Sequence, residues 1–359
     1  MAVSKKAKAL YNAIFEGTET WAANTVQIWQ ERRLLKKTAP KEPVPEQYAK
    51  AYKNYWKKYG TYSAKWGWSY AARNENMDPR YIPHTLYYTK IDQHFNARKL
   101  GWGFNDKNYY TQIFSGIRQA RVFVRNIGGI FLDADYAPVD KARISELVAG
   151  QAEVICKPAL ETGSGRGVQF WRLPEDAETM QAFVDDEENK DYLIQAVIRQ
   201  HEELKNIHAA SVNTIRICSL LIDGKVEILS SCLRMGAGGN RVDNHHAGGV
   251  SAGIEPDGTL QEYAYYLDGR RLKQHPQGFV FDGFAVPGYH KAVEMVKKAH
   301  PMVSHFRLVG WDIAIGEDGE PVLIECNMRK NGIELHQFSN GPLFGDLTDR
   351  VLAEVFAKK

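Results

Sequence analysis

Long hydrophobic runs are missing from this 359-residue sequence. No apolar stretch approaches the roughly 18 residues that a membrane-spanning helix needs. Cysteine is scarce: Cys156, Cys218, Cys232 and Cys326 are the only four, and none forms a Cys-x-x-Cys pair. Each thiol sits in an apolar, strand-like run and reads as a buried free cysteine, which suits a reducing compartment. The N-terminus has no apolar signal-peptide core, because Lys5, Lys6 and Lys8 are followed by mixed polar sequence, so the sequence predicts a cytoplasmic protein. There is no internal repeat and no low-complexity tract. The glycine-rich loop Gly163–Gly167 lacks the Gly-Lys-Ser/Thr ending of a Walker A motif.

What is present is ordinary for a globular protein, 44% hydrophobic and 25% charged, in a chain long enough for two or three subdomains. The net charge of +3 is small but uneven: Met1–Arg80 holds 15 Lys/Arg against 7 Asp/Glu. Four segments are expected. Residues 1–80 form a helical, basic and aromatic N-terminal region. Leu10, Ile14, Trp21, Val26, Trp29 and Leu34 mark one or two helices, Glu46–Tyr59 marks another, and Trp66-Gly67-Trp68 and Asp78-Pro79 mark turns. Residues 81–150 form a central segment with paired strands at 122–126 and 129–133. Residues 151–198 form a small subdomain with strands at 153–157 and 193–198. Residues 199–359 form a C-terminal subdomain with hairpins at 215–222/226–234, turning at Asp223-Gly224, and at 309–315/321–327, turning at Glu317-Asp318-Gly319. Helices are expected at 141–148, 292–299 and 345–359. The fold class is therefore α+β rather than a doubly wound sheet.

Two constellations carry chemistry. In the first, Val154-Ile155-Cys156-Lys157-Pro158 ends an apolar strand on a lysine. It is followed by Gly163, Ser164, Gly165, Arg166 and Gly167, then by a partner strand. Glycines let backbone N–H groups crowd against phosphate oxygens, and an ammonium adds fixed charge; a plain flexible hairpin loop is the alternative. In the second, Asp312 lies on one strand of the last hairpin, and Glu325 and Asn327 lie two apart on the other, facing the same side. Three oxygen donors converging on one sheet face suit a hard cation such as Mg²⁺, and carboxylates flanked by core residues would be costly without a compensating partner.

Together these segments resemble the ATP-grasp superfamily. The resemblance is closest to its sugar-transfer-associated branch, through Asn213-Thr214-Ile215-Arg216, and extends to glutathione-synthetase-like ligases through the order Arg234, Asn244, Gly248-Gly249. It runs from about Tyr88 to the C-terminus and implies an ATP-grasp fold, two α+β subdomains gripping ATP, behind the helical N-terminal region. It implies that Lys107 and Lys157 bind the nucleotide phosphates and that Gly163–Gly167 is the flap above them. Gln195, Ala196, Val197 and Ile198 become the adenine hinge, with Glu202 or Glu203 on the ribose. Arg216, Arg234 and Asn244 contact the transferred phosphate and acyl group, and Asp312, Glu325 and Asn327 hold one or two Mg²⁺ ions. The segment Met328-Arg329-Lys330-Asn331-Gly332 departs from the small-residue and proline turn of peptide-type ligases, so their substrates do not carry over.

The activity implied is ATP- and Mg²⁺-dependent joining of a carboxylate, small or peptidic, to an amine through an acyl-phosphate, releasing ADP and phosphate. A kinase acting on a sugar or other hydroxyl, and a non-catalytic nucleotide-binding protein, stand as alternatives. Adjacent His245 and His246 point to opposite faces and do not read as a metal pair. His336 is either a general base or structural. The basic N-terminal region either binds an anionic or peptide partner or packs its aromatics onto the body with its lysines in water.

Overall fold

The computed structural model describes residues 5–160, 166–239, 248–329 and 331–357. Contacts divide it into two compact units: residues up to His94 together with those from Gly341 onward, and Phe95–Asn340.

The first unit is helical. It contains α1 (Lys5–Thr38), α2 (Glu46–Trp56), α3 (Lys65–Asn74), helical turns from His84 and the C-terminal helix Thr348–Val355. Tyr48, Tyr52 and Trp56 recur every fourth residue on α2 and are all buried. Their polar ends reach backbone carbonyls: Tyr52 Oη donates to Tyr81 O at 3.1 Å and Trp56 Nε1 to Pro79 O at 2.9 Å. The turn expected at Trp66-Gly67-Trp68 is instead the interior of α3. A Cβ at Gly67 would collide with Tyr48 Oη and the Tyr52 ring. This glycine lets two helices approach closely; it does not bend the chain. The C-terminal segment joins this unit through Tyr55 Oη to Asp349 (2.8 Å), Arg80 to Asp346 (3.0 Å) and Tyr59 against Phe356. Among the described residues no helix is long and apolar enough to cross a membrane.

The second unit holds two antiparallel sheets. Its strands are β1 (Val122–Ile127), β2 (Ile130–Leu132), β3 (Glu153–Pro158), β4 (Gln169–Arg172), β5 (Tyr192–Ala196), β6 (Thr214–Ile222), β7 (Lys225–Met235), β8 (Val250–Ile254), β9 (Leu260–Tyr265), β10 (Arg271–Leu272), β11 (Leu308–Ile315) and β12 (Pro321–Asn327). The small sheet has the order β2-β1-β5-β3-β4 and the large sheet β10-β9-β8-β7-β6-β11-β12. Asp223 and Gly224 both take positive φ (50° and 74°), the primed turn that matches strand twist in a two-residue hairpin.

Alternation decides the faces. In the large sheet Ile215, Ile217, Leu233, Met235, Trp311 and Ile313 form one core, which takes in Tyr289, Ala292, Val296 and Ala299 from one stripe of the helix Tyr289–Ala299. The intervening residues Arg216, Arg234 and Asp312 therefore share the other face. In the small sheet Val154, Cys156, Trp171, Met180, Val184 and Ile194 form a second core, and Lys157 lies on the face away from Val154 and Cys156.

Candidate functional site

The large sheet brings distant residues into register. Asp312 on β11 pairs with Arg216 on β6 and with Glu325 on β12, while Gly310 pairs with Asn327. Asp312 is nearly inaccessible, and its carboxylate accepts four hydrogen bonds. Oδ1 takes Arg216 Nε at 2.5 Å and Arg234 Nη1 at 3.1 Å; Oδ2 takes Arg216 Nη2 at 2.8 Å and Asn327 Nδ2 at 3.3 Å. Burial alone would push this carboxyl up, but Arg216 and Arg234 more than reverse that and hold it below the ordinary carboxylate range. With about four lone-pair positions on a carboxylate, Asp312 is saturated. Its work in this arrangement is to hold two guanidinium groups side by side.

A second group forms where the small sheet meets the end of β12. Lys107 Nζ lies 2.9 Å from Glu325 Oε1. Lys107 opens a single helical turn, Lys107–Tyr109, capped by Asp106, whose carboxylate accepts from Asn108 N at 2.9 Å. The backbone N–H of Lys107 donates to Ala159 O at 2.9 Å, which ties this turn to the chain just beyond Lys157 and so sets the two lysines together. Lys157 keeps partial solvent access, yet dense surroundings strip much of its hydration. Burial first and the neighbouring Lys107 second pull its ammonium down to about 8, against the opposing pull of Glu325.

Two contributors escaped the sequence reading. Asn331 accepts from Arg216 Nη1 at 3.0 Å and lies over Gly310, where any Cβ would displace it. The glycine inside the strand, two residues before Asp312, was the available signal. Arg125, fully buried on β1, donates to Asn108 O at 2.6 Å and Thr111 Oγ1 at 2.9 Å, with its guanidinium 4.3 Å from the Tyr136 ring centre. It buttresses the Lys107 turn; an arginine amid Val122-Phe123-Val124 was the clue.

Other candidates fall elsewhere. Gln195 is buried in the central strand of the small sheet, paired with Val122 and Ile155. Ala196 N donates to Arg121 O at 2.9 Å, and Val197 and Ile198 lead out of β5 toward Gln200, which bridges Gly316 beyond β11. This segment links the two sheets. Glu202 and Glu203 are exposed in the first turn of the helix Glu202–Ile207, and no hydrogen bond or ion pair joins either to another candidate among the described residues. Asn213 ties down the 200–208 segment through Gln200 Oε1 and the carbonyls of Leu204 and His208. Arg166 is exposed, and Gly167 has φ +79° close against Pro158, a position that demands glycine. Gly163, Ser164, Gly165, Asn244, His245 and His246 lie outside the described residues. His336 is buried with Nδ1 2.7 Å from Ser230 Oγ, and burial, aided by Arg216, drives its imidazole down to about 3. It stays neutral at physiological pH, too weakly basic for the general-base alternative and consistent with the structural one.

The sequence matches the family described as sugar-transfer associated ATP-grasp over residues 87–351. The chain belongs to that family. Its two antiparallel sheets and helices are the ATP-grasp fold, preceded by a helical N-terminal region. None of the curated proteins compared matches it. Among solved structures it resembles the ATP-grasp ligase PsnB complexed with a phosphomimetic variant of a minimal precursor, Mg and ADP, with 13% identity and a TM-score of 0.42 over 73% of this chain and 61% of that one. It also resembles an L-amino acid ligase from Bacillus licheniformis (15%, TM-score 0.40, covering 70% and 48%) and the D-cycloserine synthetase DcsG (18%, TM-score 0.41, covering 69% and 70%). The chain thus spans about three fifths of the length of the first of these.

An ATP-grasp site calls for a divalent cation, and the donors present fit one. No protein donor among the described residues reaches Glu325 Oε2 or Asn327 Oδ1. Two hard oxygens from one side of β12 suit Mg²⁺, which takes one or two protein oxygens and completes its shell with water and phosphate.

Proposed function

We propose that this ATP-grasp protein is a ligase that joins a carboxylate to an amine, consuming ATP and releasing ADP and phosphate. The observation that carries the reading is the convergence of Arg216 and Arg234, clamped by Asp312, with the Lys107–Glu325 pair and Lys157 at one end of the large sheet. Such an array of fixed cations beside two free oxygens is built to position phosphoryl groups and steady the charge that develops during transfer.

In this reading Lys107 and Lys157 hold the nucleotide phosphates, Glu325 and Asn327 offer oxygens to Mg²⁺, and the linker Gln195–Ile198 faces the adenine, with Glu202 or Glu203 on the ribose. Bound Mg²⁺ neutralises phosphate charge. Arg216 and Arg234 orient the substrate carboxylate and the γ-phosphoryl group; where phosphate takes over an arginine, Asp312 regains a lone pair and becomes the third oxygen donor. A carboxylate oxygen attacks the γ-phosphorus, the bond to the β-phosphate oxygen breaks, and ADP leaves. The amine then displaces phosphate from the acyl-phosphate, with Asn244 beside the acyl group. The loop Gly163–Gly167 shields that mixed anhydride from water. Of the four segments expected from the sequence, 1–80, 81–150, 151–198 and 199–359, the second contributes β1 and β2 to the small sheet and the last gives its residues from Gly341 onward to the helical unit, so those bounds do not coincide with the parts of this machine, which works in the cytoplasm.

The test is the nucleotide product. Purified protein with Mg-ATP and pooled acids, amines and sugars is followed for ADP, AMP and phosphate separately. Equal ADP and phosphate, dependent on both an acid and an amine, supports the ligase. ADP without phosphate replaces it with a kinase acting on a hydroxyl, and AMP with pyrophosphate-releasing chemistry. Failure to bind Mg-ATP at all reduces the protein to a nucleotide site without function.

A further inference from the structure

The aromatic residues of the helical unit divide into two populations. Trp56, Trp66 and Trp68 are buried, whereas Trp21 and Trp29 on α1 are 71% and 60% exposed, with Val26 at 55%. The orientation of α1 is set by its opposite side. Asn24 accepts from Gln93 at 2.6 Å, and Glu31 accepts from Gln27 at 2.7 Å and lies 3.0 Å from His84 Nδ1. Leu35 is buried, and Thr38 O accepts from Arg73 at 2.5 Å. At about 3.6 residues per turn, these anchors share one stripe, and Trp21, Val26, Trp29, Arg32, Arg33 and Lys36 share the stripe opposite.

The charge on that outer stripe is of one sign. Arg32, Arg33 and Lys36 are exposed, and the Arg33 guanidinium stands 5.5 Å from the Trp29 ring centre. Glu31 is the only carboxylate from Trp21 to Lys37, and it is turned inward onto His84. The free face therefore carries two indoles, a valine and three cations, with no anion.

We propose that this face of α1 docks in the plane of an anionic lipid surface. Indoles settle at the boundary between headgroups and acyl chains, where the ring is apolar and its N–H remains wet. Flanking cations are drawn to acidic headgroups, so the apolar and electrostatic contributions act on the same side of one helix. Val26, between the two indoles, favours lipid over nucleic acid: it offers nothing to a base or phosphate but enters an acyl layer with the tryptophans. The docking is independent of the nucleotide chemistry.

The experiment is flotation of the full chain with vesicles of phosphatidylcholine alone and of phosphatidylcholine mixed with phosphatidylglycerol, at low and high salt. Binding is expected only to the acidic vesicles, weakening with salt and with a blue shift of tryptophan emission. At roughly fivefold per cation near an anionic surface, Arg32→Gln/Arg33→Gln/Lys36→Gln should lower binding on the order of a hundredfold. Trp21→Ala/Trp29→Ala should remove the blue shift along with most binding. Because these side chains face outward, circular dichroism and thermal unfolding of both variants should match the parent. The proposal is overturned if acidic vesicles are not bound, if neutral vesicles bind equally, or if either variant binds like the parent. It is equally overturned if, without vesicle binding, the face retains single-stranded oligonucleotide or supports a dimer that Trp21→Ala breaks.

Discussion

Raising the pH through about 8 is expected to weaken nucleotide binding, because the Lys157 ammonium gives up its proton there rather than at its ordinary 10.5. Burial removes hydration from the charged form and the nearby Lys107 repels it, while Glu325 recovers only part of the loss. A phosphate arriving at Lys157 favours the charged form, so above pH 8 binding must first load a proton onto the lysine. Affinity is then full below about 8 and falls about tenfold per pH unit above it, until the raised pKa of the complex is reached. The nucleotide's own phosphates have lost their last proton by then, so the slope belongs to the protein. Calorimetric titration with Mg-ADP from about pH 7 to about pH 9.5, in buffers of different ionisation enthalpy, measures both the affinity and the proton taken up. Lys157→Arg keeps a cation that cannot titrate in this range and should flatten the curve. Lys107→Met should move the midpoint up and Glu325→Gln should move it down. A flat profile in the parent protein, or the same slope in Lys157→Arg, would refute the placement of Lys157 at the phosphates.

Further outcomes follow from the same geometry. Glu325→Gln removes the charge that pairs with Lys107 and an anionic oxygen offered to the cation, and should abolish ADP release; turnover at the parent rate would sink the metal assignment. His300 and His336 are buried neutral, pulled down to about 4 and about 3, so their contribution to stability is intact above their ordinary 6.5 and is lost as pH falls toward the folded values. Each should cost about 1.4 kcal/mol per pH unit across that window, and urea unfolding of His300→Asn/His336→Asn should show a shallower acid slope than the parent; an equal slope contradicts the reasoning. Gly67→Ala drives a methyl group into Tyr48 and Tyr52 and should lower stability by about 1–3 kcal/mol, read as a fall in Tm, with an unchanged Tm counting against the close helix approach.

Local signals in the sequence determined a good deal of this molecule. Period-two alternation and the Asp223-Gly224 turn specify the β6–β7 hairpin, and the spacing of Glu325 and Asn327 puts both on one side of β12, because these preferences act between near neighbours along the chain. The order of lysine strand, glycine loop, arginine strands and acidic hairpin was likewise legible before any contact was known. Other features depend on which surfaces meet. Arg216 reaches Asp312 across 96 positions only because β11 inserts between β6 and β12, and no local pattern announces that neighbour. The same pairing gives Asp312, read from the sequence as a metal ligand, two arginine partners as well, and burial first and Lys107 second pull the Lys157 ammonium down. Gly67 looks like a turn until α2 lies against it, and Trp21 and Trp29 look like core residues until the opposite stripe of α1 takes the polar contacts. Burial and charge pairing belong to the whole assembly of elements, so only the tertiary structure decided what surrounds each of these residues.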